Sequence, residues 1–187
     1  GIDGVVAQGW EAGGHRGVFD PEGADERLPA LELTQTLVEA LDIPVIVAGG
    51  LMDGADIASA LSVGASSAQL GTAFIGCPES LADAGYRAAL HSDAAEDTMM
   101  LAQISGRAAR CLANDFTVWA AQNSDVQVPD YPIAYDAGKA LNAAAKAAGS
   151  TGFGAQWAGM GAPRARSMPA ADLVADLAAE VQIAMAD

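Results

Sequence analysis

The hydrophobic pattern opens with short apolar runs that lack polar alternation, at residues 4–8 (GVVAQ), 44–48 (PVIVA) and 67–71 (SAQLG). Strands buried on both faces of a sheet have this continuous apolar pattern. Helical periodicity separates them, at residues 31–41 and at residues 56–63, where Gly64 favours a helix end. Because parallel strands need such crossover connections, the order strand, helix, strand, helix, strand predicts an α/β class with a parallel sheet.

The downstream pattern is different in kind. It is alanine-heavy and predicts helices with no further strand over residues 78–90, 94–112, 135–148 and 169–186. Residues 149–166 are Gly-rich and aperiodic, with Phe153, Trp157 and Met160 among the glycines, which indicates either a connector or a loop that closes over a site. We therefore predict an α/β portion over residues 1–90 and a helical tail over residues 91–187.

Composition and charge narrow the function classes. The 187 residues are 51% hydrophobic and 18% charged, as in globular proteins. A net charge of −15 argues against nucleic acid as a partner, and no apolar run approaches the roughly 20 residues that cross a bilayer, which argues against a membrane partner. Cys77 and Cys111 lack any disulfide or metal-ligand spacing, so we expect no metal site and a cytoplasmic location.

A Gly-rich segment, QGWEAGGHRG at residues 8–17, follows the first predicted strand directly. Ligands of parallel α/β proteins bind outside the carboxyl ends of the strands, and glycines let the backbone approach them closely. His15 is therefore presented where catalysis would occur, although a lone histidine also serves structural roles.

Two further turns, AGGLMDG at residues 48–54 and QLGTAF at residues 69–74, follow the second and third strands. Glycines between a strand and a helix expose backbone N–H groups that suit a phosphate. The glycines of either turn alone are also explained by a tight connection between a strand and the following helix. Together they are more specific, because phosphate sites of (β/α)₈ barrels form from the loops after strands seven and eight.

The segment YPIAYDAGK contains a third group of candidate residues. In a helix starting near Ile133, Tyr135 and Lys139 share one face, and Tyr131 leads into it. Two phenols and an ammonium group can orient an anionic substrate. Packing of the two rings on the core, with a solvated lysine, is the alternative.

These segments, VVAQGWEAGGHRG, PVIVAGGLMDG, SSAQLGTAFI, ISGRAARCL and YPIAYDAGK, resemble the nitronate monooxygenase family in consistent order over the whole chain. The resemblance implies an FMN enzyme on a (β/α)₈ TIM barrel, of which this chain is the C-terminal part with the last three strands. It implies oxidation of alkyl nitronates with O₂ to carbonyl compounds and nitrite. The oligomeric state stays open.

The resemblance also implies residue roles. His15 matches the catalytic histidine, and the substrate-binding positions match Tyr131, Tyr135 and Lys139. The FMN-binding positions match Gln8, Gly13, Gly14, Gly49, Gly50, Gln69, Leu70, Gly71 and Thr72.

Other functions remain open on the same residues. A flavin-dependent enoyl-thioester reductase carries a similar Glu-Ala-Gly-Gly-His loop, and an NAD(P)H-dependent flavin reductase on the same barrel is a further alternative. The first residue is Gly and the strand pattern begins within four residues, so we expect an N-terminally truncated chain. A further interpretation, in which the chain is not an enzyme, is that it is an inactive fragment.

Overall fold

The computed structural model describes residues 1–186; Asp187, the end of the predicted helical region, lies outside the described residues. The described residues form two three-stranded sheets. In chain order the strands are β1 (Val5–Gln8), β2 (Gly14–His15), β3 (Val45–Ala48), β4 (Ser67–Gln69), β5 (Met99–Leu101) and β6 (Ala109–Cys111). The helices are α1 (Ala30–Ala40), α2 (Gly54–Ser62), α3 (Ala84–Leu90), α4 (Asp115–Gln122), α5 (Ile133–Ala147) and α6 (Ala170–Ala184).

The first sheet confirms the three predicted strands and their parallel arrangement. Its order is β1-β3-β4, and the register pairs Ala7 with Val47 and Val47 with Ala68. The central strand is the best buried, with Val45 and Val47 at most 2% exposed, because α1 and α2 pack over it. All three strands therefore end at one edge, where the glycine segments begin.

The second sheet contradicts the helix predicted over residues 94–112. Here β5 and β6 form an antiparallel pair, and β6 also pairs with the distant β2, in the order β2-β6-β5. The turn between β5 and β6 contains Gly106 at a φ of +83°. Alanines favour a helix locally, but β6 is fully buried, and its pairing with a strand about 95 residues earlier overrides that preference. The tail is therefore not wholly helical.

The helices predicted over residues 135–148 and 169–186 are confirmed as α5 and α6. The helix predicted over residues 78–90 is limited to α3, and α4 was not predicted. Residues 149–166 are mostly irregular, as predicted, with one 3₁₀ turn at Ala162–Arg164. Within residues 1–186, none of the helices combines the length and apolar character that a membrane span requires.

Helix α6 packs closely on the start of α2. A Cβ on Gly54 would lie 2.2 Å from the Cβ of Glu180, so only glycine fits there. The Glu180 carboxylate accepts from the Gly54 N–H at 2.8 Å and pairs with Arg166 at 2.8 Å. This contact ties the C-terminal helix to the turn that follows β3.

The Gly-rich segment after α5 packs backbone against backbone on the loop after β1. A Cβ on Gly159 would lie 2.5 Å from the carbonyl oxygen of Glu11. The Gly159 N–H donates to Thr72 Oγ1 and the Met160 N–H donates to the Glu11 carbonyl, both at 2.9 Å. Three chain segments that are distant in sequence therefore meet at the carboxyl edge of the parallel sheet.

Candidate functional site

Gln8, the last residue of β1, shapes the loop that carries His15. Its Nε2 donates to the His15 carbonyl at 2.8 Å, and its Oε1 accepts from the Gly17 N–H at 2.7 Å. His15 itself lies on β2 and pairs with Ala109 of β6. The second sheet, which the sequence did not predict, thus fixes the histidine backbone.

Three aromatic rings surround the His15 imidazole. Their centroids lie 5.0 Å away for Tyr131, 5.8 Å for Tyr135 and 5.1 Å for Trp157. Tyr131 and Tyr135 stack on each other at 6.4 Å. The structure therefore brings together the histidine and both tyrosines that the sequence selected, and it adds a tryptophan.

Ser105 holds one nitrogen of the His15 imidazole. This buried hydroxyl lies 2.9 Å from His15 Nε2 and 3.1 Å from the Arg107 carbonyl oxygen. When its one hydrogen goes to that carbonyl, the Ser105 oxygen accepts from an Nε2–H, and the lone pair of the neutral ring lies on Nδ1. In the other tautomer, the Ser105 hydroxyl donates to Nε2.

The imidazole is biased toward its neutral form. Burial among the aromatic rings lowers the pKa of His15 below its ordinary value of 6.5, and the nearby Arg107 guanidinium lowers the pKa further. A neutral imidazole at neutral pH is the form that acts as a base.

Beside this histidine lies a cavity of about 300 Å³ at the carboxyl ends of β1, β3 and β4. Trp157 forms part of its wall, together with Ile75 and Tyr86. All nine residues predicted to bind a cofactor line it: Gln8, Gly13, Gly14, Gly49, Gly50, Gln69, Leu70, Gly71 and Thr72. The predicted residues thus share one cavity, although three separate segments supply them.

The cavity fits a phosphate through its glycine turns rather than through the start of α2. Gly49 and Gly50 adopt φ values of +119° and +76°, a conformation that brings the bare backbone to the cavity surface. Two amides of the first helical turn already have acceptors within the protein. The Gly54 N–H donates to α6 at 2.8 Å, and the Asp56 N–H donates to the side chain of the N-cap aspartate at 2.9 Å.

Lys139 lies at the solvent side of the aromatic group. Its Nζ is 5.2 Å from the Tyr135 ring centroid, as the predicted shared helix face requires. The side chain is 61% exposed and pairs with Asp136 at 2.7 Å, and this carboxylate raises the pKa of Lys139. The ammonium group is therefore near the site but already has a partner.

Arginine side chains gather around Trp10 in the same loop. The guanidinium carbons of Arg16, Arg27 and Arg110 lie 5.5, 4.8 and 4.8 Å from its ring centroid. One of them, Arg16, pairs with Asp25 at 2.7 Å. In a chain of net charge −15, the loop carrying His15 thus concentrates positive charge, which Asp25 offsets in part.

Sequence reasoning did not place Ser105, Arg107 or Tyr86 at the site, and it did not predict the contact of Trp157 with His15. Ser105 lies 90 positions from His15, and no local spacing joins them. Trp157 gave a usable signal, because it is a large apolar side chain among glycines in a segment that could close over a site.

Together, the fold and the site define an α/β protein with a half-buried imidazole beside a glycine-walled ligand cavity. The chain matches the family described as Nitronate monooxygenase over residues 1–180, and it belongs to that family. It is 58% identical to a nitronate monooxygenase of Paraburkholderia phytofirmans and 50% identical to one of Pseudomonas aeruginosa. Each match covers 97% of this chain, and 50% and 52% of those proteins.

Solved structures agree with this assignment. The chain is similar over its full length to the nitroalkane oxidase of Streptomyces ansochromogenes, with a TM-score of 0.90, 38% identity and coverage of 53% of that chain. It also resembles FabK from Thermotoga maritima, with a TM-score of 0.75, 26% identity and coverage of 98% of this chain and 55% of that one. The chain thus spans about half the length of its relatives.

Proposed function

We propose that the protein carrying this chain oxidises alkyl nitronates with O₂ to carbonyl compounds and nitrite, using FMN. The observation that carries the proposal is the position of His15, enclosed by Tyr131, Tyr135 and Trp157 directly beside the glycine-walled cavity. Family membership supports it, because the two relatives compared above bear the name nitronate monooxygenase.

The cavity is suited to FMN. Gly49, Gly50, Gly71 and Thr72 are suited to hold the phosphate through backbone and hydroxyl donors, and residues 8–14 approach the ring system. The chain has no G-x-G-x-x-G followed about 20 residues later by an acidic residue, which a dinucleotide site would use. When bound, FMN supplies the electron transfer between substrate and oxygen.

The chain's own residues supply binding and proton transfer. A neutral nitroalkane loses its α-proton to the Nδ1 lone pair of His15, while Ser105 holds the other nitrogen. Tyr131 and Tyr135 donate hydrogen bonds to the nitro oxygens, and Lys139 adds positive charge at the solvent side. Because nitronates are already anionic, they need the binding groups more than the base.

We also infer that β1, β3 and β4 are the last three strands of an eight-stranded (β/α)₈ barrel. Their parallel order and the ligand cavity at their carboxyl ends support this arrangement. The division into residues 1–90 and 91–187 is then a barrel portion and a substrate-side portion, joined by the pairing of β2 with β6.

The test begins with the purified protein and any flavin extracted from it. Chromatography should identify FMN, and incubation with an alkyl nitronate and O₂ should release nitrite. FAD or nicotinamide in the extract would contradict the cofactor assignment.

The same preparation should also receive an enoyl thioester with NAD(P)H, and NAD(P)H with free flavin. Nucleotide consumption without nitrite release would favour an enoyl-thioester reductase or a flavin reductase. A folded preparation that turns over neither class of substrate would favour an inactive fragment.

A further inference from the structure

Trp157 connects the two parts of the site. Its side chain lines the glycine-walled cavity, and its ring also lies 5.1 Å from His15 and 6.1 Å from Tyr135. Of the residues around the imidazole, Trp157 is the one that also forms the cavity wall, since neither tyrosine lines the cavity. A substitution of Trp157 should therefore affect both the cavity and the surroundings of the His15 ring.

The position of Trp157 is fixed by its backbone. Trp157 bridges to Cys111 of β6, and its carbonyl accepts from the Tyr86 hydroxyl. Two residues later, Gly159 is packed against the Glu11 carbonyl. With the main chain held at these points, the direction of the Trp157 Cα–Cβ bond is set by the fold.

The indole N–H makes one directional contact. Trp157 Nε1–H donates to the Tyr135 hydroxyl oxygen at 3.3 Å. Indole nitrogen is only a donor, so the direction of this hydrogen bond is unambiguous. The Tyr135 oxygen acts as the acceptor, and among the described residues no protein acceptor takes the Tyr135 hydroxyl hydrogen.

We propose that Trp157 is a positioning residue that makes Tyr135 a hydrogen-bond donor toward the substrate. The indole N–H occupies one lone pair of the Tyr135 oxygen and leaves the hydroxyl hydrogen directed away from Trp157. The inference rests on the proposed function, since it names the group that orients one substrate contact of that site. With Tyr135 as a donor, the site favours ligands that present acceptor oxygens, as planar nitronates do.

The first experiment measures binding without turnover. Nitrate, a planar anion with three acceptor oxygens, is titrated calorimetrically into the purified protein and into Trp157→Phe, which keeps an aromatic ring but removes the N–H. Loss of the benefit of one neutral hydrogen bond corresponds to roughly 2- to 10-fold weaker binding. The matched control is Trp119→Phe on α4, where the ring packs on Phe116 outside the site and is 43% exposed.

A double-mutant cycle separates orientation from packing. Tyr135→Phe removes the hydroxyl, so Trp157→Phe should have no further effect on nitrate affinity in that background. With nitronates, Trp157→Phe should raise KM by a similar factor, and kcat should change less than twofold. A merely structural role for the ring would weaken binding equally in both backgrounds.

The nitrate titrations and the double-mutant cycle distinguish the role of Trp157 from the proposed function. Unchanged nitrate affinity in Trp157→Phe, an equal loss in the Tyr135→Phe background, or no nitrate binding by the unmodified protein would overturn it. Nitrate binding with the expected coupling but no nitrite release from nitronates would instead refute the proposed function and leave the role of Trp157 intact.

Discussion

At the scale of single residues, His15 combines a shielded ring with a defined proton acceptor. The aromatic rings pack around it, Ser105 holds Nε2, and partial burial keeps the pKa of the imidazole low. The rings affect its exposure to solvent, Ser105 affects its orientation, and burial affects its pKa. Substitutions can therefore separate the proton-transfer role from the binding role.

His15→Asn should lower turnover of neutral nitroalkanes by about 10²-fold or more, because a positioned general base contributes about 10²- to 10⁴-fold. Nitronate turnover should fall much less, since nitronates need no deprotonation. Steady-state nitrite release with both substrates measures the difference. His91→Asn, at the exposed end of α3, is the matched control. Equal losses on both substrates would mean that His15 only shapes the pocket.

Arg107→Gln should move the acidic limb of the kcat/KM profile for neutral nitroalkanes to higher pH. The Arg107 charge lowers the pKa of His15, so its removal raises that pKa and leaves less neutral base at a given pH. Arg107→Lys keeps the charge and should keep the profile. Identical profiles for both variants and the parent would contradict the assignment of His15 as the titrating base.

At the scale of elements, the local sequence pattern predicted those strands and helices whose conformation does not depend on distant residues. The three parallel strands and α5 follow from apolar runs and helical periodicity. Strand β6 could not be predicted this way, because its strand conformation depends on pairing with β2. Helix α4 did carry a local signal, the N-cap residue Asn114 followed by Asp115 in the first turn, whereas its capping box with Thr117 is visible only in the structure.

The same distinction applies to the candidate site. The nine cavity residues lie at the carboxyl ends of the three parallel strands or in the segments that follow them, so strand order alone brings them together. Ser105 and Trp157 reach His15 through the second sheet and the segment after α5, which sequence spacing does not encode.

Gly54→Ala should destabilise the packing of α6 on α2. The added methyl would lie 2.2 Å from Glu180 Cβ, and overpacking of this kind typically costs about 1–3 kcal/mol, more than the helix preference of alanine returns. Urea unfolding measures the change. At Gly71 a Cβ meets nothing within 4 Å, so Gly71→Ala is the matched control when both variants are unfolded after removal of flavin. An unchanged urea midpoint for Gly54→Ala would show that α6 shifts to accommodate the methyl group with no loss in the free energy of unfolding.

At the scale of the whole molecule, the parallel sheet has two open edges. Within residues 1–186, β1 and β4 each pair on one side only, and Val6 on β1 is 45% exposed. Unpaired strand edges with apolar side chains favour association with other strands. In the proposed (β/α)₈ barrel, the other five strands would cover both edges.

Residues 1–187 expressed alone should therefore self-associate, as measured by size-exclusion chromatography with light scattering. Val6→Lys should reduce the association, because a charge on an edge strand opposes pairing. Adding the N-terminal half of the Paraburkholderia phytofirmans relative should shift the chain toward a defined complex. A monodisperse monomer with one sharp unfolding transition would contradict the barrel assignment.

The backbone contact between the Gly-rich segment and the loop after β1 also has a consequence for hydrogen exchange. The amides of Gly159 and Met160 are bonded to Thr72 and Glu11, whereas Thr151 in the same irregular stretch is exposed. Deuterium should enter Gly159 and Met160 far more slowly than Thr151, as NMR or mass spectrometry can measure. Similar rates would show that the contact opens readily. Slow exchange means that the segment next to Trp157, which lines the cavity, is ordered before any ligand arrives, so little conformational entropy is lost when one binds.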